Sequence, residues 1–286
     1  MFSKQERRID ILGNIPFLFV HFGCLLVFWA GFSWAAIITC LFLWFIRMLG
    51  ITAGYHRYFS HRSYKTSRIF QFFLAVLGNA SAQLGPLWWA ACHRTHHQHS
   101  DTEKDIHSPV LDGFLWSHVG WVMCPHYSQT NEQKIRDFSM YPELRYLDRF
   151  HQVIPILLAV FLIILGESFH QFVPQFGTNG LQMLIWGFCI STTLLYHSTF
   201  SINSLAHVFG SRRFDTKDAS RNNFFLALIT LGEGWHNNHH YYPASARQGF
   251  YWWEIDITLY VLKLLAWVGI VWDLKSPPTG IYSRTH

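Results

Sequence analysis

The chain has 286 residues; 50% are hydrophobic, 18% aromatic and only 14% charged, with a net charge of +5. Soluble domains carry about 25% charged residues, so this balance argues against an ordinary soluble domain and for a membrane protein. The length allows one large or two ordinary domains. No Pro-rich, Gly/Ser-rich or single-sign charge run divides the chain, so one domain over residues 1–286 is expected.

From the N-terminus, no charged residue stands between Asp10 and Arg47. A spanning helix needs about 20 apolar residues, and this stretch holds two, over residues 14–31 and 34–53, turning at Gly31-Phe32-Ser33. The first is expected to be a retained helix: it runs on into a second span without an A-x-A site. Two more spans are expected at 150–166 and 181–202, within the uncharged runs Arg149–Glu167 and Glu167–Arg212. The run between Arg68 and Arg94 is also long enough to cross, but Gly78-Asn79, Ser81, Gln83 and Gly85-Pro86 interrupt it. Helices lying in or dipping into the interface are expected there instead.

Lys and Arg placement sets orientation. The outer-loop segments 31–33 and 167–180 hold neither residue, whereas the N-terminus (Lys4, Arg7, Arg8) and the segments after the second and fourth spans hold nearly all. Both termini are therefore expected in the cytoplasm of a bacterium or its equivalent, and topology accounts for the basic balance without a nucleic-acid partner. Arg47, inside the second span, is expected to face protein or water rather than lipid. The five cysteines form no CxxC pair, so neither a disulfide framework nor a thiolate zinc site is indicated.

Eighteen histidines are present, and eight of them cluster: His56 and His61 in HRYFSH, His93, His96 and His97 in HRTHH, and His236, His239 and His240 in HNNHH. Helical positions i, i+3 and i+4 share a face, so each triple aims its rings at one point. Imidazole is the commonest metal ligand, and metal ligation is the expected role. The i, i+5 spacing of HRYFSH suits a helix end. An even number of spans between HRYFSH and HNNHH puts both on the cytoplasmic side. The fold expected is an all-α membrane protein: four transmembrane helices carrying a cytoplasmic, histidine-rich helical cap.

The three clusters, with GITAGYHRYFSHRSYKT at 50–66, DTEKDIHSP at 101–109, SHVGW at 117–121, NSLAH at 203–207 and GEGWHNNHHYYP at 232–243, resemble the integral-membrane fatty acyl desaturases. The likeness is to the Δ9, stearoyl-CoA desaturase-like branch and covers residues 34–273. It implies an O2-dependent enzyme that uses two iron ions to place a cis double bond in a saturated acyl chain. It adds His207 as a ninth metal ligand and Asn203 as one acting through water. Trp44 and Met48, roughly 18 and 12 Å before His56 along a helix, match positions that set chain length in that family by closing the acyl tunnel.

An unactivated methylene is beyond the reach of side-chain bases, so the protein's part is to hold metal and position substrate. No carboxylate ligand offsets the irons' charge, and Asp101, Glu103, Asp105, Asp215, Asp218 and Glu233 are expected to orient the rings from behind. His21, His151, His170 and His197 are expected to be interfacial or packed, and His99, His107, His118 and His126 not to bind iron. In animal acyl-CoA members an Arg-Asp pair precedes the second box and an Arg-Lys pair follows SHVGW; Ala91-Cys92 and Pro125-His126 stand here. Arg94, Lys104 or Arg212-Arg213 could meet a CoA phosphate; otherwise the carrier is an acyl-lipid. No cytochrome b5-like segment is visible, so electrons are expected from a separate cytochrome b5-like or ferredoxin-like donor and its reductase. The alternatives are a membrane diiron hydroxylase and a metal transporter.

Overall fold

Asn14 and Ser33 mark where the first two apolar helices begin. In the computed structural model, which describes residues 8–281, helix α1 runs over Ile15–Ala30 and α2 over Trp34–Ser60. Ser33 caps α2 by accepting the amide of Ala36 at 3.2 Å, as its hydroxyl and position favour. The helix α3 is Arg68–Asn79, α4 Pro86–His99, α5 Val153–Phe172, and α6 occupies 180–204 as three continuous pieces. Two further helices are α7, His236–Tyr241, and α8, Ile257–Trp267. Among the described residues, strand is confined to a two-residue pairing of Lys65–Thr66 with Val271–Trp272. The chain is thus mostly helical. Lys4 and Arg7 lie outside the described residues.

Among the described residues two helices, α2 and α5, are long and apolar enough to cross a membrane by length and composition. Helix α1 is shorter, at Ile15–Ala30, and α6 is diluted by Ser, Thr and His. Their apolar side chains point outward: Phe28, Trp29, Trp34, Phe42, Leu157 and Phe161 are all exposed. This inverts the pattern of a water-soluble bundle. A stem core gathers Val20, Ala36, Leu162, Met183, Phe188 and Tyr196 from α1, α2, α5 and α6. A second core under the histidines joins the end of α2 to α3, α4 and α8 through Met48, Tyr55, Leu74, Leu87 and Leu262.

The end of α2 is not α-helical. From Gly50 to Ser60 it winds as a π-helix, in which i→i+5 hydrogen bonds replace i→i+4. The amide of His61 donates to the carbonyl of His56 at 3.2 Å. The i, i+5 spacing of HRYFSH therefore reflects π winding as well as a helix end, and helix α2 runs on past His56. Helix α3 crosses this stretch closely: a Cβ on Gly50 would lie 2.6 Å from the Leu77 carbonyl carbon. Only glycine permits that approach.

The uncharged run 69–93 breaks at the expected interruptions into two helices, which form a hairpin. Its tight turn places Ala82 and Leu84 at φ 58° and 60°, a region unfavourable to residues with a Cβ. Side chains meet the turn's carbonyls. Arg47 donates to Ala80 at 3.2 Å, Tyr196 to Ala82 at 2.8 Å, and Tyr55 and Asn79 to Leu84, each at 3.1 Å. Arg47 also reaches Thr192 and Ser191, so it faces protein. Asp148 accepts the amides of Leu87 and Trp88 at the start of α4. The hairpin returns HRTHH to the end of the molecule that carries HRYFSH.

Gly50→Ala should lose about 1–3 kcal/mol through overpacking at this crossing, measured as a lower Tm of the detergent-solubilised protein. An unchanged Tm would mean that α3 can move away freely.

Candidate metal centre

Nine histidines converge from four parts of the chain. His56 and His61 come from the end of α2, His93, His96 and His97 from α4, His207 from just past α6, and His236, His239 and His240 from α7. They divide into two groups. In the first, one ring nitrogen each of His56, His61, His93, His97 and His239 lies within 4.8 Å of all the others; in the second, the same holds for His96, His207, His236 and His240. HRTHH and HNNHH are therefore each split between the groups.

Carboxylates fix which nitrogen points inward. The Nδ1 atoms of His56, His96, His207 and His240 meet Glu233 at 2.5 Å, Asp105 at 3.0 Å, Asp101 at 2.9 Å and Asp218 at 2.8 Å. An Nδ1–H held by a carboxylate leaves the Nε2 lone pair facing the centre. There, Nε2 atoms stand against each other: His56 and His239 at 3.1 Å, His97 and His239 at 2.9 Å, His207 and His236 at 3.0 Å. The buried Nε2 of His240 has no partner at all. Metal–imidazole bonds of about 2.1 Å set neighbouring ligand nitrogens about 3 Å apart. Converging lone pairs at that separation fit two cations, one per group.

Electrostatics keep the rings ready. Burial, reinforced by neighbouring imidazoles, holds His61, His93, His97, His236 and His239 well below the ordinary value, and His240 at about 4 despite Asp218. His96 differs: burial opposes its charge, but Asp105 outweighs it and raises the pKa. Burial alone would raise the acids, yet His207 holds Asp101 at about 2, and ring contacts lower Asp105, Asp218 and Glu233.

Of the six acids singled out in the sequence, four back a ring. Glu103 and Asp215 do not: both are exposed, and Asp215 sits 3.9 Å from Arg212. Asn203 is half-buried one turn before His207, with its carbonyl accepting the Ser117 hydroxyl at 2.8 Å. Met48 is 1% exposed inside the core beneath the centre, and Trp44 packs against that core. His107 stacks on the back of His96 at 4.4 Å, outside both groups.

Sequence reasoning missed two features. Buried Arg57, the second residue of HRYFSH, donates to Glu233 at 3.1 Å and to Asp256 at 2.9 Å, and so anchors the acid behind His56. Trp89 stacks on His93 at 5.1 Å and donates to Gln83, which donates to Thr199. Its place one helical turn before His93 was the available signal for Trp89. Nothing local marks the partners of Arg57.

The sequence profile of the fatty acid desaturase family matches residues 32–271. The chain is 36% identical to an sn-1 stearoyl-lipid 9-desaturase of Anabaena variabilis, over 96% of both chains. It is 38% identical to a Delta-9 acyl-lipid desaturase of Arabidopsis thaliana, over 97% of this chain and 87% of the relative. An acyl-CoA 5-desaturase of Anemone leveillei is 36% identical over 86% of this chain and 74% of its own. The chain belongs to the fatty acid desaturase family. This desaturase is accordingly an oxidoreductase of lipid metabolism and a membrane protein, and its histidine groups suit iron.

Two outcomes test the centre. His61, His93, His97, His236 and His239 are held well below the ordinary 6.5 and His240 at about 4, so between pH 6.5 and about 4 the unfolded chain binds more protons at these positions. Stability of the metal-free desaturase should therefore fall as pH drops through that window, read as a declining Tm. Glu233→Gln should weaken iron retention about 10- to 100-fold, measured by metal content after chelator challenge.

Proposed function

We propose that this desaturase introduces a cis Δ9 double bond into saturated fatty acyl chains in an O2-dependent reaction at a pair of irons. The observation that carries the reading is the two groups of buried imidazoles, four of them backed by carboxylates, in a chain of this family. The ligands would be His56, His61, His93, His97 and His239 on one iron, and His96, His207, His236 and His240 on the other, with Asn203 acting through water. Iron supplies the O2-driven removal of two hydrogens from an unactivated pair of methylenes, which no side chain can deprotonate.

The chain's own residues hold and shape that site. The acids keep Nδ1 protonated and each ring aimed inward, which fixes the site before substrate arrives. Arg57 immobilises Glu233. The apolar core with Met48 and Trp44 lies beyond the centre along α2, where a methyl-ended tail is excluded from water. Bulky side chains there would set the chain length accepted. Trp89, against His93 and His56, would form a wall beside the reacting carbons.

The architecture proposed is one domain, residues 1–286, with four spans: α1, α2, α5 and α6. The histidine cap and both termini face the cytoplasm, as in a bacterial inner membrane. The carrier favoured is a membrane lipid. Arg94 is consumed by Asp137 and by the carbonyls of Phe59, Ser60 and Lys134, and Arg213 by Glu254 and Asn238. Of the cations considered for a CoA phosphate, these two are spent internally, and the Anabaena and Arabidopsis relatives are named for lipid substrates. Electrons would come from a separate one-electron donor of the ferredoxin or cytochrome b5 kind.

Expression in a desaturase-deficient cell, with double bonds located by mass spectrometry in lipid and thioester pools, tests this. Δ9 products appearing first in the lipid pool are expected, with Met48→Ala and Trp44→Ala shifting the profile to longer chains. Hydroxylated chains, or no new product, would overturn the desaturase reading.

A further inference from the structure

Three histidines outside the metal centre form a hydrogen-bonded chain on the side of the stem. His21 of α1, His197 of α6 and His118 of the short helix Phe114–His118 are linked in that order. Nε2 of His21 lies 3.2 Å from Nε2 of His197, and Nδ1 of His197 lies 3.0 Å from Nε2 of His118. Nδ1 of His118 continues to the Ser204 hydroxyl at 2.9 Å. Both ends stop on backbone carbonyls: Nδ1 of His21 at Phe17, 2.8 Å away, and the Ser204 hydroxyl at Phe200, 3.0 Å away.

Counting hydrogens gives this chain a definite character. Its five contacts each need one hydrogen. Three neutral imidazoles own one N–H each and serine one O–H, four in all. The terminal carbonyls can only accept, so one contact goes without a hydrogen unless the chain takes up one extra proton. With that proton every contact is satisfied, and each ring can receive on one nitrogen and release from the other. The rings packed around it are aromatic: Phe17 and Tyr196 on His21, Phe114 on His118, and Phe200 on His118 and His197. Tyr196, the titratable neighbour, gives its hydroxyl to Ala82.

The chain also runs the right way. His197 is exposed, His21 and His118 are half-buried, and Ser204 is fully buried. His197 and Ser204 lie on one face of α6, about 10 Å apart along its axis. Ser204 directly follows Asn203, the residue assigned a water in the centre, and precedes His207 by three positions. Desaturation needs such a route. One saturated chain, one O2, two electrons from the donor and two protons give one unsaturated chain and two waters. The protons must reach a site whose carboxylate-backed rings have both nitrogens committed.

We propose that His21, His197, His118 and Ser204 form a proton relay from the membrane surface to the water at Asn203. The proposal rests on the desaturase reading above. An interfacial water gives a proton at the contact of exposed His197 with His21, His197 and then His118 each pass one on, and the Ser204 hydroxyl turns from the Phe200 carbonyl to deliver one to water. Only N–H and O–H bonds form and break. The histidines act as positioning and transfer groups, not as metal ligands.

His197→Asn and His118→Gln keep a side-chain donor and acceptor but cannot shuttle a proton between two ring nitrogens. In the iron-loaded enzyme both should lower turnover about ten- to a hundredfold, with KM and iron content unchanged. Hydrogen peroxide released per O2 should rise, and added imidazole should restore part of the rate. In metal-free protein carrying 15N-histidine, the three rings should take up one shared proton as a unit, and His197→Asn should uncouple them. Variants matching the wild type in turnover, peroxide release and solvent isotope effect would overturn the relay, as would independent titration of the rings. A wild type that makes no unsaturated product would instead overturn the desaturase reading, and the nitrogen titration would still decide the relay's proton.

Discussion

The pairing of a carboxylate with the Nδ1 of a buried imidazole is the constraint on which this molecule depends. Nine imidazole rings packed within a few ångströms have no reason to converge by themselves, since their ring nitrogens are buried against one another. Four acids settle the matter from behind. By holding the Nδ1 hydrogens of His56, His96, His207 and His240, they fix tautomer and ring plane at once. They also supply negative charge close to a site whose ligands carry none. The arrangement is unfavourable without cations at the centre and favourable with them, so folding and metal binding are linked.

The stem and hairpin serve that convergence. A run of residues long enough to cross the membrane instead turns back, because the carbonyls exposed by its tight turn are met by Arg47, Tyr196, Tyr55 and Asn79. Irregular backbone buried away from water is tolerable only when its polar groups are answered by protein. Buried Arg47 thus has a structural purpose: it ties α2, the turn and α6 together. The π winding from Gly50 to Ser60 works to the same end, bringing His61 beside His93 at 2.8 Å.

The relay proposed on the stem extends one theme: imidazole serves here in two chemistries. In the centre, burial and neighbouring rings hold His61, His93, His97, His236, His239 and His240 neutral. On the flank, rings are strung end to end between two carbonyls, short of one proton. The difference lies in what stands behind Nδ1, a carboxylate for four rings of the centre and a carbonyl, another ring or a hydroxyl on the flank.

The amino-acid sequence by itself determined the helical class, the uncharged runs that become apolar helices, and the three histidine boxes with their local faces. All of these are short-range, set by hydropathy and by spacing along one helix. The interruptions at Gly78-Asn79 and Gly85-Pro86 likewise marked where the uncharged run breaks, though not that its two helices pair as a hairpin. The sequence could not apportion the rings into groups of five and four, since HRTHH and HNNHH each divide between them. Nor could it tell Asp101, which meets a histidine 106 residues away, from the solvated Glu103 two positions later. Arg57 reaches Glu233 across 176 residues, and His21 reaches His197 across the same interval. Only tertiary structure decides such pairs, because a side chain's proton and charge are governed by what burial brings against it, not by its neighbours in the chain.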